Sequence, residues 1–320
     1  MKQVTGSSSC LSHPGLYESS PGSTAVLRLK AQPKGMAWGC PRDYLNNKLV
    51  YVVLSPRARG LSIGVNLNPD QRCNFDCVYC EVNRKNAPRD FVANVDTSSL
   101  IDLDLLSEEL EQTLGLTLSG DVRALSHYRN FPESLLRPRH VALSGDGEPT
   151  LCPQFEEVVE RIVHTRARGT RSFFKLVLVT NGTGLDRHEV RRGLRFFTSA
   201  DEVWVKLDAG TQMHLDRVNR SSVPLGQILT NIVEYSRLRP IIIQSLFPSV
   251  AGLAPSLAEI GEYVLRLKEL VEAGANISLV QIYSATRPTP HSVCGHLPLR
   301  TLSQIGTSVR NSTGLCVEVF

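Results

Sequence analysis

Residues 62–81 read SIGVNLNPDQRCNFDCVYCE: a short apolar run, a polar turn, and then Cys73, Cys77 and Cys80 in the spacing C-x3-C-x2-C. The next cysteine along the chain is Cys152, so no fourth thiol stands close by to complete a tetrathiolate site. Thiolates are the ligands of iron–sulfur clusters. A four-iron cluster held by only three of them keeps one iron open, where a small molecule can bind and be reduced.

Other uses of the triplet follow from the same residues. Structural zinc takes four ligands in a closed tetrahedron, and a zinc site here needs a distant fourth ligand. A redox pair made of Cys77 and Cys80 at a helix start leaves Cys73 without a role. Three unrelated buried thiols do not account for the regular spacing around Asn74 and Asp76.

Tyr79 completes the pattern C-x3-C-x-aromatic-C, and in this the chain resembles the radical S-adenosylmethionine (SAM) enzymes. The wider run from Ser62 to Glu81 resembles a subgroup known as iron–sulfur oxidoreductases, related to wyosine-forming enzymes and glycyl-radical activases. The resemblance implies a [4Fe-4S] cluster on Cys73, Cys77 and Cys80, with Tyr79 close by. The open iron takes the amino and carboxylate groups of SAM and passes an electron that splits it into methionine and a 5′-deoxyadenosyl radical. That radical abstracts hydrogen from a substrate, which is a small molecule, a protein glycine or a tRNA base. An electron donor such as flavodoxin or ferredoxin is implied as partner. The contrasting function is a non-catalytic electron carrier or redox sensor that keeps only the cluster.

Composition is that of an ordinary soluble enzyme: 320 residues, 42% apolar, with 35 Lys plus Arg against 31 Asp plus Glu. So mild a positive balance names no partner. No apolar run is long enough to span a bilayer, and the start MKQVTGSSSC lacks the order of a secretory signal. A cytoplasmic location is expected, since clusters of this kind need a reducing compartment. The eight cysteines are too few for a disulfide framework in a chain of this length.

Ser, Gly and Pro crowd the first 45 or so residues, which predicts a poorly structured extension over residues 1–48. Cys10 and Cys40 lie there without motifs. Beyond it, apolar runs at Tyr51–Leu54, Ser62–Leu67, His140–Ser144, Phe173–Thr180, Glu202–Asp208, Ile241–Phe247 and Ile277–Tyr283 read as strands of a sheet buried on both faces. Helical patterns at Leu100–Leu116, Gln154–Arg168, Asp186–Phe197, Leu225–Arg237 and Pro255–Ala273 lie between them, with Gly274 placed to end the last. Strands alternating with helices give an α/β fold with parallel strands. Six strands from Ser62 onward, each followed by a helix except the last, match the partial (βα)6 barrel of the radical SAM family. That barrel is expected over residues 49–290, with residues 291–320 as a C-terminal extension packing on it.

Reactive groups in such folds gather at the carboxyl ends of strands. Gly145-Asp146-Gly147-Glu148-Pro149 follows the third apolar run, and by resemblance Gly147, Glu148 and Pro149 correspond to the family's G-G-E-P-like element, which accepts hydrogen bonds from the amino group of SAM. Asp146 departs from the glycine usual there. Thr180, Asn181 and Gly182 end the next strand, and the resemblance puts them near SAM; small polar groups suit its ribose. Strand alternation sets Trp204, Lys206 and Asp208 on one face. Lys206 and Asp208 are thus site candidates, expected as an ion pair, with a Schiff-base lysine as the alternative.

Gln281 and Arg287 are candidates for binding a carboxylate, and Gln244 for pointing into the barrel. His291, Cys294 and His296 match no zinc spacing, Cys152 reads as a buried small side chain, and the remaining cysteines are too scattered for a second cluster. Arg57, Arg59, Arg72, Arg84, Lys85 and Arg89 cluster near the cysteine loop in sequence, as a tRNA-binding surface would want.

Overall fold

Strand-forming runs of Val, Ile and Leu build the whole frame. The computed structural model describes residues 44–83, 100–169, 173–287, 289–291 and 293–320, all within one compact unit, Met36–Phe320. The expected N-terminal extension lies outside the described residues up to residue 43, as do Arg84, Lys85 and Arg89. The chain runs β1 (Val50–Ser55), β2 (Gly60–Val65), α1 (Leu103–Ser119), β3 (Pro138–Leu143), α2 (Phe155–Ala167), β4 (Leu176–Thr180), α3 (His188–Gly193) and β5 (Glu202–Lys206). It continues through α4 (Gln212–Val218), α5 (Leu225–Ser236), β6 (Ile241–Leu246), β7 (Ser249–Val250), α6 (Leu257–Glu272), β8 (Ile277–Tyr283), β9 (Cys294–Gly295), α7 (Leu299–Thr313) and β10 (Val317–Val319).

Eight strands form one sheet in the order β1-β2-β3-β4-β5-β6-β8-β10. From β2 to β10 every pairing is parallel, as the βαβ pattern predicts. Two expectations need correction. The first apolar run is antiparallel to β2, because only the four residues Pro56–Arg59 join them, and a link that short reverses the chain instead of crossing over. The strand at Ile277–Tyr283 is not the last: α7 follows it, and β10 adds a further parallel strand beside it.

Laid flat, eight strands would hold β1 and β10 roughly 30 Å apart. Instead Arg59, in the β1–β2 turn, reaches Glu318 of β10 at 2.6 Å, and Arg287, just past β8, donates to the Leu54 carbonyl at 3.2 Å. The sheet therefore curls into a half-barrel. Its two faces carry separate apolar clusters. On the outside, Val203 and Val205 pack with helix residues such as Leu110, Phe155 and Tyr263. On the inside, Ala142, Val177, Trp204 and Ile242 form a smaller group. Tyr51 also turns inward and lies across Gly64, where an added Cβ would stand 2.1 Å from its ring.

Helix ends follow local chemistry. Asp102 caps α1 by accepting from the backbone N–H groups of Asp104 and Leu105. Gly274 takes the left-handed conformation (φ 85°) expected of a residue that ends α6. Arg166 on α2 and Asp201 before β5 form a buried two-bond pair at 2.8 and 3.2 Å. Asp201 also accepts from Leu176 and Thr198 N–H, which fixes α2 to the start of β4 and β5. Among the described residues no helix is long and apolar enough to cross a membrane.

Candidate functional site

The cysteine loop leaves the carboxyl end of β2 and is held there by backbone groups. Val78 N–H donates to the Val218 carbonyl at 2.9 Å, Asp76 N–H to that of Asn219 at 3.0 Å, and Cys80 N–H turns back to Cys77 at 2.9 Å. Cys77 is buried, and Cys73 and Cys80 are half-buried. Two sulfurs receive N–H donors: Phe75 N–H points at Cys73 Sγ (3.5 Å) and Asn219 Nδ2 at Cys77 Sγ (3.4 Å). Burial pushes the Cys77 thiol up to about 11, so ionising it calls for a cation close by.

The donor set fits an iron–sulfur cluster: three thiols on one loop, with N–H donors aimed at two of the sulfurs, the kind of hydrogen bond that tunes such clusters. Among the described residues no group of three His, Cys, Asp or Glu side chains is already gathered as a metal site.

The turn after β3 packs directly on this loop. Glu148 N–H donates to the Arg72 carbonyl at 3.0 Å, and a Cβ on Gly147 would meet that same oxygen at 2.1 Å. Only glycine lets the two segments approach so closely. Asn66 joins in from the end of β2, its Oδ1 accepting from Asp146 N–H and its Nδ2 donating to Asp146 Oδ2.

Glu148 does not face outward. Its carboxylate, 3% exposed, accepts from Thr150 N–H, Thr150 Oγ1, Thr180 Oγ1 and Asn181 N–H at 2.5–3.1 Å. Those four donors use its acceptor capacity and clamp the ends of β3 and β4 together. Burial raises its pKa, and the hydrogen bonds from Thr180, Asn181 and Thr150 offset part of the rise. Pro149 is buried in the same turn.

Asn181 is likewise engaged. Its Nδ2 donates to Asn74 Oδ1 at 2.6 Å, and Asn74 Nδ2 donates to Thr183 Oγ1 at 2.6 Å. The cysteine loop is thereby tied to the end of β4, where Gly182 adopts φ 81°.

Beneath Tyr79 lies a polar knot. The Tyr79 hydroxyl donates to Asp208 Oδ2. Asn219 Nδ2 also reaches that oxygen (2.8 Å) and the Tyr79 oxygen (3.0 Å), and Leu246 N–H donates to Asp208 Oδ1 at 2.8 Å. Lys206 Nζ stands 3.5 Å from Asp208 Oδ2, 3.3 Å from the Tyr283 hydroxyl and 4.8 Å from the centre of the Tyr79 ring. Burial works to discharge Lys206, but Asp208 overcomes it and holds the ammonium above the usual lysine range. The geometry has the form of the expected ion pair.

Lys206, Gln244 and Gln281 are register neighbours on β5, β6 and β8, and the two amides pair at 2.8 Å. Arg287 pairs with Glu81 at 3.3 Å. Cys152 is a core residue whose thiol burial pushes up to about 12. His291 approaches Asp76 (3.7 Å), while Cys294 on β9 pairs with Val250 on β7 in a short antiparallel ladder. Asn219 has no sequence signal, since a lone asparagine after a helix looks like a cap. Asn66 and Asn68 gave a weak one, as polar residues at the end of an apolar run.

No family model matches the chain. A UPF0026 protein of Helicobacter pylori (strain ATCC 700392 / 26695) is 24% identical over 247 residues, 76% of this chain and 68% of that protein. A radical SAM methyltransferase from Sphaerobacter thermophilus superposes with a TM-score of 0.55 at 15% identity, over 85% of this chain and 68% of its own. Streptococcus suis SuiB bound to S-adenosylmethionine gives 0.53 at 12% identity, over 82% of this chain and 52% of its own. The fold is the radical SAM fold. On it, the cysteine loop, the Gly145–Pro149 turn and the ends of β4 and β5 share the carboxyl rim of the sheet.

Proposed function

We propose that this chain is a radical SAM enzyme that holds a [4Fe-4S] cluster on Cys73, Cys77 and Cys80 and binds SAM at the rim of the half-barrel. What carries the reading is the three-thiol loop at the end of β2, locked to the turns after β3 and β4 and supplied with N–H donors on two sulfurs. When bound, the cluster supplies the electron that splits the SAM sulfonium into methionine and a 5′-deoxyadenosyl radical.

The chain's own residues hold and orient. Gly147 keeps the turn against the cysteine loop, and the Gly147–Pro149 segment accepts from the amino group of SAM. Glu148 acts from behind, by fixing Thr180 and Asn181. Gly182 and the polar end of β4 border the ribose. Lys206 and Asp208 position Tyr79 under the loop instead of touching SAM. The substrate lies on the inner face, and a reductant such as flavodoxin or ferredoxin approaches the loop from outside.

The test is anaerobic reconstitution with iron and sulfide, reduction, and addition of SAM. Formation of 5′-deoxyadenosine by the wild type and its loss in Cys77→Ala is the expected result. Iron uptake with no cleavage of SAM means an electron carrier or sensor and refutes the proposal.

A further inference from the structure

The inner face of the sheet carries one positive charge, that of Arg57, that neither the cysteine loop nor the rim turns use. Arg57, in the turn between β1 and β2, lays its guanidinium over the Tyr283 ring, 4.0 Å from the centroid. Its Nε is buried and has no hydrogen-bond partner. Lys206 Nζ reaches the same ring from β5, at 5.6 Å from the centroid. Two cations thus stand within 6 Å of one ring centre.

Counting the groups around them leaves this charge unbalanced. Asp208 pairs with Lys206, and its oxygens also accept from Tyr79, Asn219 and Leu246. Glu202 is committed to Lys175 (2.7 Å) and to Trp204 Nε1 (2.8 Å). Gln244 and Gln281 bond to each other and carry no charge. His140, on the same face, bonds Ser62 through Nε2 and stacks edge-on to Trp204. Among the described residues no carboxylate forms an ion pair with Arg57. A cation on a ring face recovers only part of the hydration it gives up, and an arginine fork with a free Nε is shaped for a carboxylate or phosphate.

We propose that the substrate of this enzyme carries an anionic group, a carboxylate or a phosphate, that docks on the Arg57 guanidinium beside the Tyr283 ring, on the face that also holds Lys206. This rests on the enzymatic reading above and narrows it to substrates with such a group. Bound there, the anion faces the inner mouth below Tyr79, and the rest of the substrate extends toward the rim where SAM is held.

The test is calorimetric titration of full-length, cluster-loaded protein with sodium phosphate and, separately, sodium acetate, each with and without saturating SAM. Saturable binding of at least one anion is expected, unchanged by SAM, weakened at least tenfold by Arg57→Met and partly restored by Arg57→Lys. Comparing the two anions tells which group the site prefers. If neither binds, or if Arg57→Met binds as tightly as wild type, the proposal falls. Displacement by SAM would assign the charge to the carboxylate of SAM itself and also overturn it. Should Arg57→Met not fold, Arg57→Gln serves in its place. Anion binding without 5′-deoxyadenosine formation counts against the enzymatic reading alone; 5′-deoxyadenosine without anion binding counts against this site alone.

Discussion

Asn219 ties the cysteine loop to the polar knot beneath it. One amide group reaches Cys77 Sγ, the Tyr79 oxygen and Asp208, while its Oδ1 is buried without a partner. Hydrogen bonds to cluster sulfurs stabilise the reduced, more negative state. Asn219→Ala is therefore expected to shift the cluster's reduction potential downward, measured by a redox titration followed by electron paramagnetic resonance. Tyr79→Phe, which keeps the sulfur donor, should shift it less. An Asn219→Ala potential equal to wild type would remove Asn219 from the cluster's environment. Gly147 is the second such residue. Gly147→Ala drives a methyl group into the Arg72 carbonyl, so reconstituted protein should hold substantially less iron than wild type, and full iron loading would show that the turn and the loop are not mutually dependent.

At the scale of elements, the buried Arg166–Asp201 pair decides how α2 sits on β4 and β5. Burial alone would raise the Asp201 carboxyl, but the bonds from Arg166, Leu176 and Thr198 outweigh it and hold the group below the ordinary value of 3.8. A carboxyl depressed in the folded state contributes stability that is present above 3.8 and is lost as the pH falls through the lower, folded value. Asp201→Asn should cost about 3 kcal/mol at neutral pH, because it strands a buried guanidinium. Urea unfolding should show that gap narrowing as the pH drops below 3.8; a gap that is small at neutral pH, or constant with pH, would contradict it.

Most elements were legible because their signals are local. The apolar runs from Ser62 to Tyr283 marked β2 to β6 and β8, and Gly274 marked a helix end. The direction of β1 was not read, since the turn at Pro56–Arg59 lacks the Asn-Gly or Asp-Gly signature of a tight hairpin. Short α4 offers only seven residues of pattern. By contrast α7 did carry signals, with Leu302, Ile305 and Val309 on one buried face and Gly314 at its end, yet β10 after it is only three residues long. At the site, the sequence marked the cysteine triplet and the Gly145–Pro149 turn. It gave no hint that Glu148 and Asn181 would face inward, because that depends on partners such as Asn74, 107 residues away from Asn181 along the chain.

For the whole molecule, curling brings the β1–β2 turn against β8 and β10, which sets Arg57 over Tyr283 and closes the inner face around Trp204. The cysteine loop sits at the carboxyl rim of the same sheet, where the proposed cluster would be held. That arrangement has a use only if one iron of the cluster has no protein sulfur and is free to take SAM. Electron paramagnetic resonance of the reduced, anaerobically reconstituted protein, recorded with and without SAM, tests this directly. The expected result is about four irons per chain and a spectrum that changes when SAM is added and reverts when SAM is removed. A spectrum indifferent to SAM, from a cluster already capped by a fourth side chain, would contradict it.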